Sequence, residues 1–180
     1  MKHYSKLKET KISSRTLYKG VLDVKVDEVK LVNGRKALRI YLKHRGASGI
    51  LPVENGQVYL VEQFRYPIGA STLEIPAGKR EPGQDFLDCA RAELKQETGL
   101  SAKSFKKILT FHPCNAFSDE VQQIYLATGL SRGKMDLDKD EFINVKKLPL
   151  KKVYQFIKQG KITDAKTILA LQWYQLNHKE

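Results

Sequence analysis

Residues 73–100 read LEIPAGKREPGQDFLDCARAELKQETGL, and apolar side chains recur at helical spacing in the second half of this stretch. Leu87, Ala90 and Leu94 follow one another at intervals of three and four residues, which is typical of the buried face of a helix. A Pro-Gly pair precedes this pattern and a glycine follows it, as expected of a turn and of a left-handed helix cap. The sequence therefore predicts a helix over residues 84–98.

Two acidic residues lie on one side of the predicted helix. Glu93 and Glu97 are four positions apart, so their carboxylates are neighbours on one face, beside the apolar stripe. Such a pair suits a hard cation such as Mg²⁺, which binds few protein oxygens and fills its other positions with water and substrate phosphate. An isolated pair at this spacing is more often a solvated acidic face, so the spacing alone leaves both interpretations open.

The composition is that of a folded chain of moderate size. Its 180 residues are 41% hydrophobic, enough for one domain or for a main domain with a small appendage. The N-terminus is basic and polar, and no apolar run approaches the ~18 residues of a membrane span. We therefore expect a cytoplasmic protein without a membrane partner. Cys89 and Cys114 lack CxxC spacing, which predicts free thiols rather than a zinc site or a disulfide.

The net charge points to an anionic partner. With 32 Lys and Arg against 20 Asp and Glu, the chain carries a formal charge of +12 at pH 7. Its basic clusters are scattered and lack the interleaved aromatic residues of a nucleic-acid surface. A phosphorylated small molecule is therefore the favoured partner, and nucleic acid is the weaker alternative.

Strand patterns fill most of the remaining chain. Residues 15–42 alternate apolar and polar positions around Asn33-Gly34, which predicts a hairpin with a type I′ turn. More apolar strand patterns follow between residues 50 and 76. The other predicted elements are strands at 105–111, 121–126 and 142–145 and helices at 150–159 and 164–177. The predicted organisation is an N-terminal β domain over residues 1–44, followed by a mixed α/β sandwich over residues 45–180.

Residues 78–100 resemble the Nudix box, whose pattern is G-x5-E-x7-R-E-U-x-E-E-x-G-U with U apolar. The positions in register are Gly78, Glu93, Leu94, Glu97, Gly99 and Leu100. Three positions depart from the pattern, with Gln84 and Gln96 in place of Glu and Ala92 in place of Arg. Segments around the box, including LEIPAGKREPG and YLVEQFRYP, are similar to those of the ADP-ribose and nucleoside-diphosphate-sugar pyrophosphatases, and the resemblance covers about residues 16–178.

This resemblance implies a fold and an activity. The implied fold is α/β, the Nudix α/β/α sandwich with a mixed sheet, preceded by a small N-terminal β-sheet domain. The implied activity is metal-dependent hydrolysis of ADP-ribose or another nucleoside diphosphate sugar to a nucleoside monophosphate and a sugar phosphate. Mg²⁺ is the implied cofactor, with Mn²⁺ as an alternative. The subfamily further implies a homodimer, in which the domain over residues 1–44 serves in dimerisation and as a substrate lid.

The same resemblance assigns the metal ligands and the catalytic residues. The implied ligands are the carboxylates of Glu93 and Glu97 and the main-chain carbonyl of Ala77, with Gln96 at the position of a further acidic ligand. Glu93 and Glu97 are thereby also catalytic. Glu141 resembles the glutamate that acts as general base or positions the attacking water.

Three further side chains match residues of the substrate cleft. Arg65 matches an arginine that faces phosphate, and Glu74 and Glu120 match acids that line the cleft. For Glu120, a surface residue at the start of a strand is an equally open alternative. These residue types fit the chemistry, because cations must neutralise the charge concentrated between the two phosphorus centres while a base activates water.

The departures from the box raise two structural questions. In the family, the residues replaced by Gln84 and Ala92 commonly pair and brace the loop around the helix, so this chain lacks that brace. Arg91 is one position away from the vacant arginine, and the sequence does not show whether it substitutes. Gln96 keeps an acceptor oxygen but lacks the charge that helps to hold a further metal ion.

Other functions and another base stay open at this point. The altered box favours, as one alternative, a Nudix module that binds nucleotides as a sensor without turnover. The net charge favours, as another, an RNA 5′-pyrophosphohydrolase. The alternatives to Glu141 as the base are a metal-bound hydroxide and the nearby Asp138 and Asp140, which lie in the same acidic segment.

Overall fold

A computed structural model of the chain describes residues 5–20, 22–137 and 141–178. The strands in these ranges are β1 (Thr10–Tyr18), β2 (Asp23–Lys30), β3 (Lys36–Lys43), β4 (Ala47–Glu54), β5 (Gln57–Arg65), β6 (Ala70–Glu74), β7 (Ala77–Lys79), β8 (Leu100–Phe111), β9 (Gln122–Arg132) and β10 (Ile143–Pro149). The helices are α1 (Phe86–Thr98), α2 (Leu150–Lys158) and α3 (Ala165–Asn177), and single turns of 3-10 helix cover Ser5–Leu7 and Tyr66–Ile68.

These elements form two compact units. The smaller unit contains the residues up to His44 together with Cys114–Glu120, and the larger contains Arg45–Pro113 and the residues from Val121 onward. The segment Cys114–Glu120 joins the smaller unit because it hydrogen-bonds to the end of β3, where the Leu42 amide donates to the Phe117 carbonyl (2.8 Å). The sequence prediction did not assign this segment to the N-terminal domain.

The smaller unit is built on an antiparallel sheet in the order β1-β2-β3. The turn between β2 and β3 differs from the predicted type I′ turn, because Gly34 has a left-handed conformation (φ 84°) and Asn33 does not. The Asn33 side chain instead accepts a hydrogen bond from the Arg35 amide (3.0 Å), and the Gly34 amide donates to the Leu31 carbonyl (2.9 Å). These two bonds close a turn that needs only one left-handed residue.

The larger unit contains a mixed sheet of seven strands. Five of them follow the order β10-β5-β4-β9-β8, with β6 beside β5 and β7 beside β4. β4 and β9 pair in parallel, whereas the other pairs are antiparallel. The turn between β4 and β5 consists of Asn55 and Gly56, which both have positive φ (50° and 68°), as a two-residue type I′ turn requires. The mixed sheet confirms the predicted fold class.

Each face of this sheet carries its own core, because successive residues of a strand point to opposite faces. On one face, Ile50, Tyr59 and Tyr125 pack with residues of α1, including Ala90 and Leu94. On the other face the adjacent strand residues pack with α2, α3 and the segment between them: Leu51, Leu60 and Leu126 with Leu150, Val153, Ile162 and Leu171. The sheet therefore lies between α1 and the α2–α3 pair, as an α/β/α sandwich.

Helix α1 starts slightly later than predicted because Asp85 is its N-cap. The Asp85 carboxylate accepts a hydrogen bond from the Asp88 amide (2.8 Å). Gly99 ends the helix with φ 68°, and its amide donates to the Lys95 carbonyl (2.8 Å). A Cβ at this position would lie 2.9 Å from the Gly133 carbonyl oxygen, so both the conformation and the space require glycine.

The two closing helices pack on the sheet as the apolar spacing predicts. Asp164 is the N-cap of α3, and its carboxylate accepts from the Thr167 amide (3.0 Å). Within the described ranges, no helix is long and apolar enough to cross a membrane.

Candidate active site

Strand β7 contacts helix α1, and a glycine permits the close approach of a carboxylate. A Cβ on Gly78 would lie only 1.9 Å from Oε1 of Glu93. No other residue fits at position 78 unless the Glu93 side chain moves. The glycine therefore keeps this carboxylate against the backbone of β7.

Glu97 lies one turn further along α1 and is only 4% exposed. Its Oε2 accepts a hydrogen bond from the Ala77 amide (3.0 Å). Burial, followed by the negative charge of Glu93, raises the pKa of Glu97 to about 8, although the Ala77 amide acts in the opposite direction. Two neighbouring carboxylates, one of them buried, are costly unless a proton or a cation compensates their charge.

Above this pair lies an open cleft of about 470 Å³. It brings together side chains that are distant in sequence, with Arg65 from β5, Glu93 from α1 and Glu141 from the segment before β10. The three departures from the Nudix box also line it. The full lining consists of Arg65, Ala77, Gly78, Lys79, Glu81, Gln84, Ala92, Glu93, Gln96, Asp136 and Glu141.

The acidic segment before β10 contributes to this cleft at two positions. Glu141 is half-buried there, and its negative charge is one of the causes that raise the pKa of Glu97. Asp136 is the second, and its amide donates to the Gln96 carbonyl at the end of α1 (3.1 Å). The sequence reasoning missed Asp136, whose only signal is the acidic run around it. Asp138 and Asp140, the alternative bases, lie outside the described residues.

Arg65 is fixed in the cleft wall by a buried glutamate. Its Nε and Nη2 donate to the two carboxylate oxygens of Glu74 (2.8 and 2.7 Å). Burial alone would raise the pKa of Glu74, but the hydrogen bonds from Arg65 and the charge of Lys166 outweigh it and lower the pKa to about 2. Glu74 therefore stays ionised behind Arg65 and does not line the main cleft.

Glu120 belongs to the smaller unit. Its amide donates to Oγ of Ser118 (3.1 Å), and its carboxylate lies 3.8 Å from Nδ1 of His44. Its role in the substrate cleft stays a prediction.

A second arginine, Arg80, holds the loop before α1. In this chain that loop lacks the Glu–Arg pair that the Nudix box has at positions 84 and 92. Nε of Arg80 donates to the Gln84 carbonyl (2.7 Å), and its Nη1 donates to the Arg45 carbonyl (3.2 Å). The guanidinium also lies 4.2 Å from the centre of the Phe86 ring. The Gln84 side chain accepts from the Glu81 amide (3.0 Å). These contacts connect the loop, the start of α1 and the segment before β4.

Arg91 does not take over that role. Its Nη1 pairs with Asp88 (3.2 Å), and both side chains are more than half exposed (57% and 60%). The arginine therefore lies on the solvent side of α1. Arg80 was not recognised from the sequence, because its position is variable in the box pattern.

The oxygen atoms around Glu93 and Glu97 fit a divalent cation. The two carboxylates, the Ala77 backbone and the Gln96 side chain offer only oxygen donors of the kind that hard cations prefer. Burial, and after it the negative charge of Glu93, raises the pKa of Glu97, and a bound cation would favour the ionised carboxylate. In the part of the chain that the structure describes, no group of three or more His, Cys, Asp or Glu side chains is placed to hold a metal ion. Such a cation would thus be held by two carboxylates and neutral oxygens.

Comparison with known proteins agrees with this geometry. A model of the NUDIX domain matches residues 42–171. An ADP-ribose pyrophosphatase of Bacillus subtilis (strain 168) is 38% identical over 174 residues, which is 94% of each chain. A methanol dehydrogenase activator of Bacillus methanolicus is 37% identical over 172 residues, which is 93% of each chain.

A solved structure shares the fold. The crystal structure of an ADP compounds hydrolase superposes with a TM-score of 0.84 and 18% identity, covering 96% of this chain and 97% of that one. The domain match and the long relatives also confirm the resemblance seen in the sequence. The chain belongs to the Nudix family.

Proposed function

We propose that this hydrolase cleaves the pyrophosphate bond of ADP-ribose or another nucleoside diphosphate sugar, giving a nucleoside monophosphate and a sugar phosphate. The observation that carries the proposal is the single cleft in which Arg65, Glu93 and Glu141 meet, with Glu97 beneath it. The relative named ADP-ribose pyrophosphatase supports this substrate class.

Arg65 has the geometry to bind a phosphate of the substrate. Glu74 engages its Nε and Nη2, which leaves Nη1 to donate to a phosphate oxygen. An arginine that is already fixed loses little side-chain freedom on binding. Arg65 therefore orients the pyrophosphate in the cleft.

Glu141 is the residue that we assign to proton transfer. Its carboxylate would accept a proton from the water that attacks phosphorus, and a positioned base typically contributes ~10²- to 10⁴-fold in rate. Glu141 lies two residues before β10, which begins at Ile143, so the start of a regular strand limits the movement of its backbone.

Nudix hydrolases generally need a divalent metal, and the residues of this cleft fit one. Glu93, Glu97, the Ala77 carbonyl and Gln96 would hold it. When bound, a divalent cation supplies positive charge to the pyrophosphate and helps to activate water. We propose Mg²⁺, with Mn²⁺ as an alternative, because the donors are oxygens throughout.

A substrate panel tests the proposal. The purified protein is assayed with ADP-ribose, other nucleoside diphosphate sugars and 5′-triphosphate RNA, with Mg²⁺, with Mn²⁺ and with EDTA. We expect turnover of at least one nucleoside diphosphate sugar that EDTA abolishes. Binding without turnover would favour the sensor, and turnover of the RNA alone would favour the RNA 5′-pyrophosphohydrolase.

We further propose a homodimer formed through the smaller unit. Leu38 and Ile40 are two positions apart on β3, so they share one face of its sheet, and they are 61% and 59% exposed. Adjacent apolar side chains on a small sheet suit a protein interface. The cytoplasmic location stays a prediction.

The second Bacillus relative suggests a second candidate function. Because that protein is named a methanol dehydrogenase activator and is similar to this chain over 93% of its length, we propose activation of a dehydrogenase as the alternative. The test adds the protein and its Glu97→Gln variant to methanol dehydrogenase assays. Stimulation by the wild type alone would connect activation to the cleft, and no stimulation would remove this candidate.

A further inference from the structure

We propose that Lys166 is a positioning residue of this active site, which holds Glu74 from helix α3 and thereby keeps the charge of Arg65 available to the substrate. The proposal rests on the role given to Arg65 under the proposed function. Neither the box pattern nor the spacing of acidic residues points to Lys166, since it lies in the first turn of α3, far along the chain.

The lysine is nearly buried and fixed by two carboxylates. Its Nζ donates to Oε2 of Glu74 (2.5 Å) and to Oδ1 of Asp164 (2.9 Å). Its side chain is 11% exposed, and that of Glu74 is 3% exposed. Arg65 donates to both oxygens of the same carboxylate, so the arginine and the lysine share Oε2 of Glu74. One glutamate therefore connects a lysine of α3 to the arginine in the cleft wall.

The start of α3 is attached to the same backbone segment that carries Glu74. The Asp164 carboxylate caps the helix by accepting from the amide and the hydroxyl of Thr167 (3.0 and 2.6 Å). The Thr167 oxygen in turn accepts from the Ile75 amide (2.8 Å), and Ile75 follows Glu74 directly. The hydrogen bond between Thr167 and Ile75 therefore fixes the start of α3 beside Glu74, and this holds Lys166 next to the Glu74 carboxylate.

Charge balance gives this contact a consequence for substrate binding. Arg65 and Lys166 are two cations, and Glu74 and Asp164 are two carboxylates, so the cluster is neutral as a whole. Without the lysine, Arg65 alone would face two carboxylates, and the cluster would carry one net negative charge beside a site for pyrophosphate. The lowered pKa of Glu74 supports this reasoning, since Glu74 stays ionised at neutral pH. Removal of Lys166 is therefore expected to weaken substrate binding through Arg65.

A purely structural role is the competing explanation. Buried ion clusters often contribute little net stability, yet removal of one partner is costly, so a loss of stability alone would not distinguish the two. A change in charge balance, in contrast, acts on KM and is reversed when the balance is restored. The experiment therefore compares variants that differ in charge balance rather than in folding alone.

The experiment measures kcat and KM for ADP-ribose in four single or double variants. Lys166→Met should raise KM about tenfold and leave kcat within about twofold, because Arg65 binds ground state and transition state alike. Lys166→Arg, which keeps the charge, should stay within about threefold of wild type. Lys166→Met with Asp164→Asn restores neutrality and keeps a good N-cap, so KM should return towards the wild-type value. Lys158→Met, which removes an exposed lysine of α2, is the matched control and should behave like wild type.

A double-mutant cycle with Arg65→Gln shows whether Lys166 acts through the arginine. In that background Lys166→Met should change KM by less than about twofold, because the group on which it acts is gone. The proposal would be overturned if Lys166→Met changed KM by the same factor with Arg65 and with Gln at position 65, or if Asp164→Asn did not restore KM. Either result would leave a structural role for Lys166. If Lys166→Met does not fold, the proposal is tested with Lys166→Arg and with the Lys166→Met/Asp164→Asn double variant. Both keep the cluster neutral, so the proposal requires that both fold and bind substrate like wild type.

The outcome is separable from that of the proposed function. If the wild type hydrolyses ADP-ribose and the cycle shows no coupling, only the role of Lys166 fails. If the wild type turns over no nucleoside diphosphate sugar, the proposed function fails, and the same cycle is read from the Kd of ADP-ribose by calorimetry. Equal Kd values for wild type and Lys166→Met would then overturn the role of Lys166 as well.

Discussion

Two buried glutamates of this protein have pKa values displaced in opposite directions by their neighbours. Glu74 meets Arg65 and Lys166, whose contacts outweigh its burial and lower its pKa to about 2. Glu97 is raised to about 8 by burial and by the adjacent Glu93. The first carboxylate is neutralised within the protein, whereas the second has too few positive partners. This contrast is why we assign Glu74 to the support of Arg65 and Glu97 to a metal ion.

The ion pairs of Glu74 predict an acid-dependent contribution to stability. Glu74→Gln should lower the free energy of unfolding at pH 7 by about 3 kcal/mol, because two cations lose a buried partner. The folded pKa of about 2 lies below the ordinary value of 4.5, so this contribution is present above pH 4.5 and is lost as the pH falls towards 2. Urea unfolding at pH 7 and at pH 3 measures it.

At pH 3 the difference between wild type and Glu74→Gln should be smaller than at pH 7. Glu28→Gln is the control, since its carboxylate is one-third exposed and pairs with an exposed lysine on β3. That change should cost less than ~1 kcal/mol at either pH. A difference for Glu74→Gln that is the same at both pH values would contradict the assigned ion pairs.

Gln96 gives a prediction about metal affinity. It lines the cleft together with Glu93, where the family pattern has a further glutamate. Gln96→Glu should raise activity at low Mg²⁺ about tenfold, which corresponds to ~1.4 kcal/mol, because the added charge strengthens metal binding. A metal titration of kcat/KM measures this change.

Gln84→Glu is the control, because it adds a carboxylate to the same cleft but not to the proposed metal ligands, and it should leave the metal dependence unchanged. Identical titrations for Gln96→Glu and wild type would show that position 96 does not limit metal affinity.

At the scale of elements, the site depends on how the loop before α1 is held. Arg80 hydrogen-bonds the Gln84 carbonyl and lies over the ring of Phe86. The loop leads directly into the helix that carries Glu93 and Glu97. Arg80 thus supports the position of the helix that carries the proposed metal ligands, in a chain that lacks the usual Glu–Arg pair of the box.

Arg80→Gln is therefore predicted to destabilise this region. We expect a loss of about 2 kcal/mol in the free energy of unfolding, from the lost charged hydrogen bonds and the ring contact. Hydrogen exchange should become faster in the amides of residues 80–86. Arg91→Gln is the matched control, because its ion-pair partner is an exposed residue of the same helix and its ring contact, with Phe105, is longer (5.8 Å against 4.2 Å for Arg80). This change should alter stability by less than ~0.5 kcal/mol. Equal effects of both variants would mean that Arg80 is not a brace.

The sequence predicted the helices and strands that are marked by a local residue pattern. It did not predict contacts between residues that are far apart in the chain. The apolar spacing and the flanking glycine predicted α1 to within two residues. The Asn33-Gly34 pair was interpreted as a type I′ turn, but the side chain of Asn33 closes a different turn. Arg80 and Lys166 have no signal of their own in the sequence, and Asp136 has only that of the acidic run around it. Their importance arises when β4, α1 and α3 come together in the fold.

The family resemblance also assigned Glu93 and Glu141 to one site, and the fold brings both to one cleft. The resemblance did not distinguish residues that line the cleft from residues buried behind them, because spacing in sequence does not show how deeply a side chain is buried. Glu74 accordingly lies behind Arg65, with a side chain only 3% exposed. A single stretch of sequence does not show which of its side chains other helices and strands will bury.

At the scale of the whole molecule, the exposed apolar face of the smaller unit predicts its oligomeric state. Ile40→Glu should convert a dimer to a monomer, because a charge in an apolar interface is costly. Sedimentation velocity across a concentration series measures the mass. Val32→Glu is the control, since Val32 is similarly exposed (61%) but lies in the turn after β2. A wild type that remains monomeric throughout the series would contradict the proposed dimer.

We propose that Glu93 and Glu97 are the metal-binding pair of a pyrophosphate hydrolase, and the other site assignments depend on this proposal. The most direct test is the turnover of ADP-ribose with Mg²⁺ by Glu97→Gln, beside Asp88→Asn, which removes an exposed carboxylate from the same helix. We predict that Glu97→Gln folds normally and loses at least about a hundredfold in kcat, since ~3 kcal/mol of transition-state stabilisation is removed. Asp88→Asn should stay within about threefold of wild type. Near-normal turnover by Glu97→Gln would contradict the account and place the metal elsewhere in the molecule.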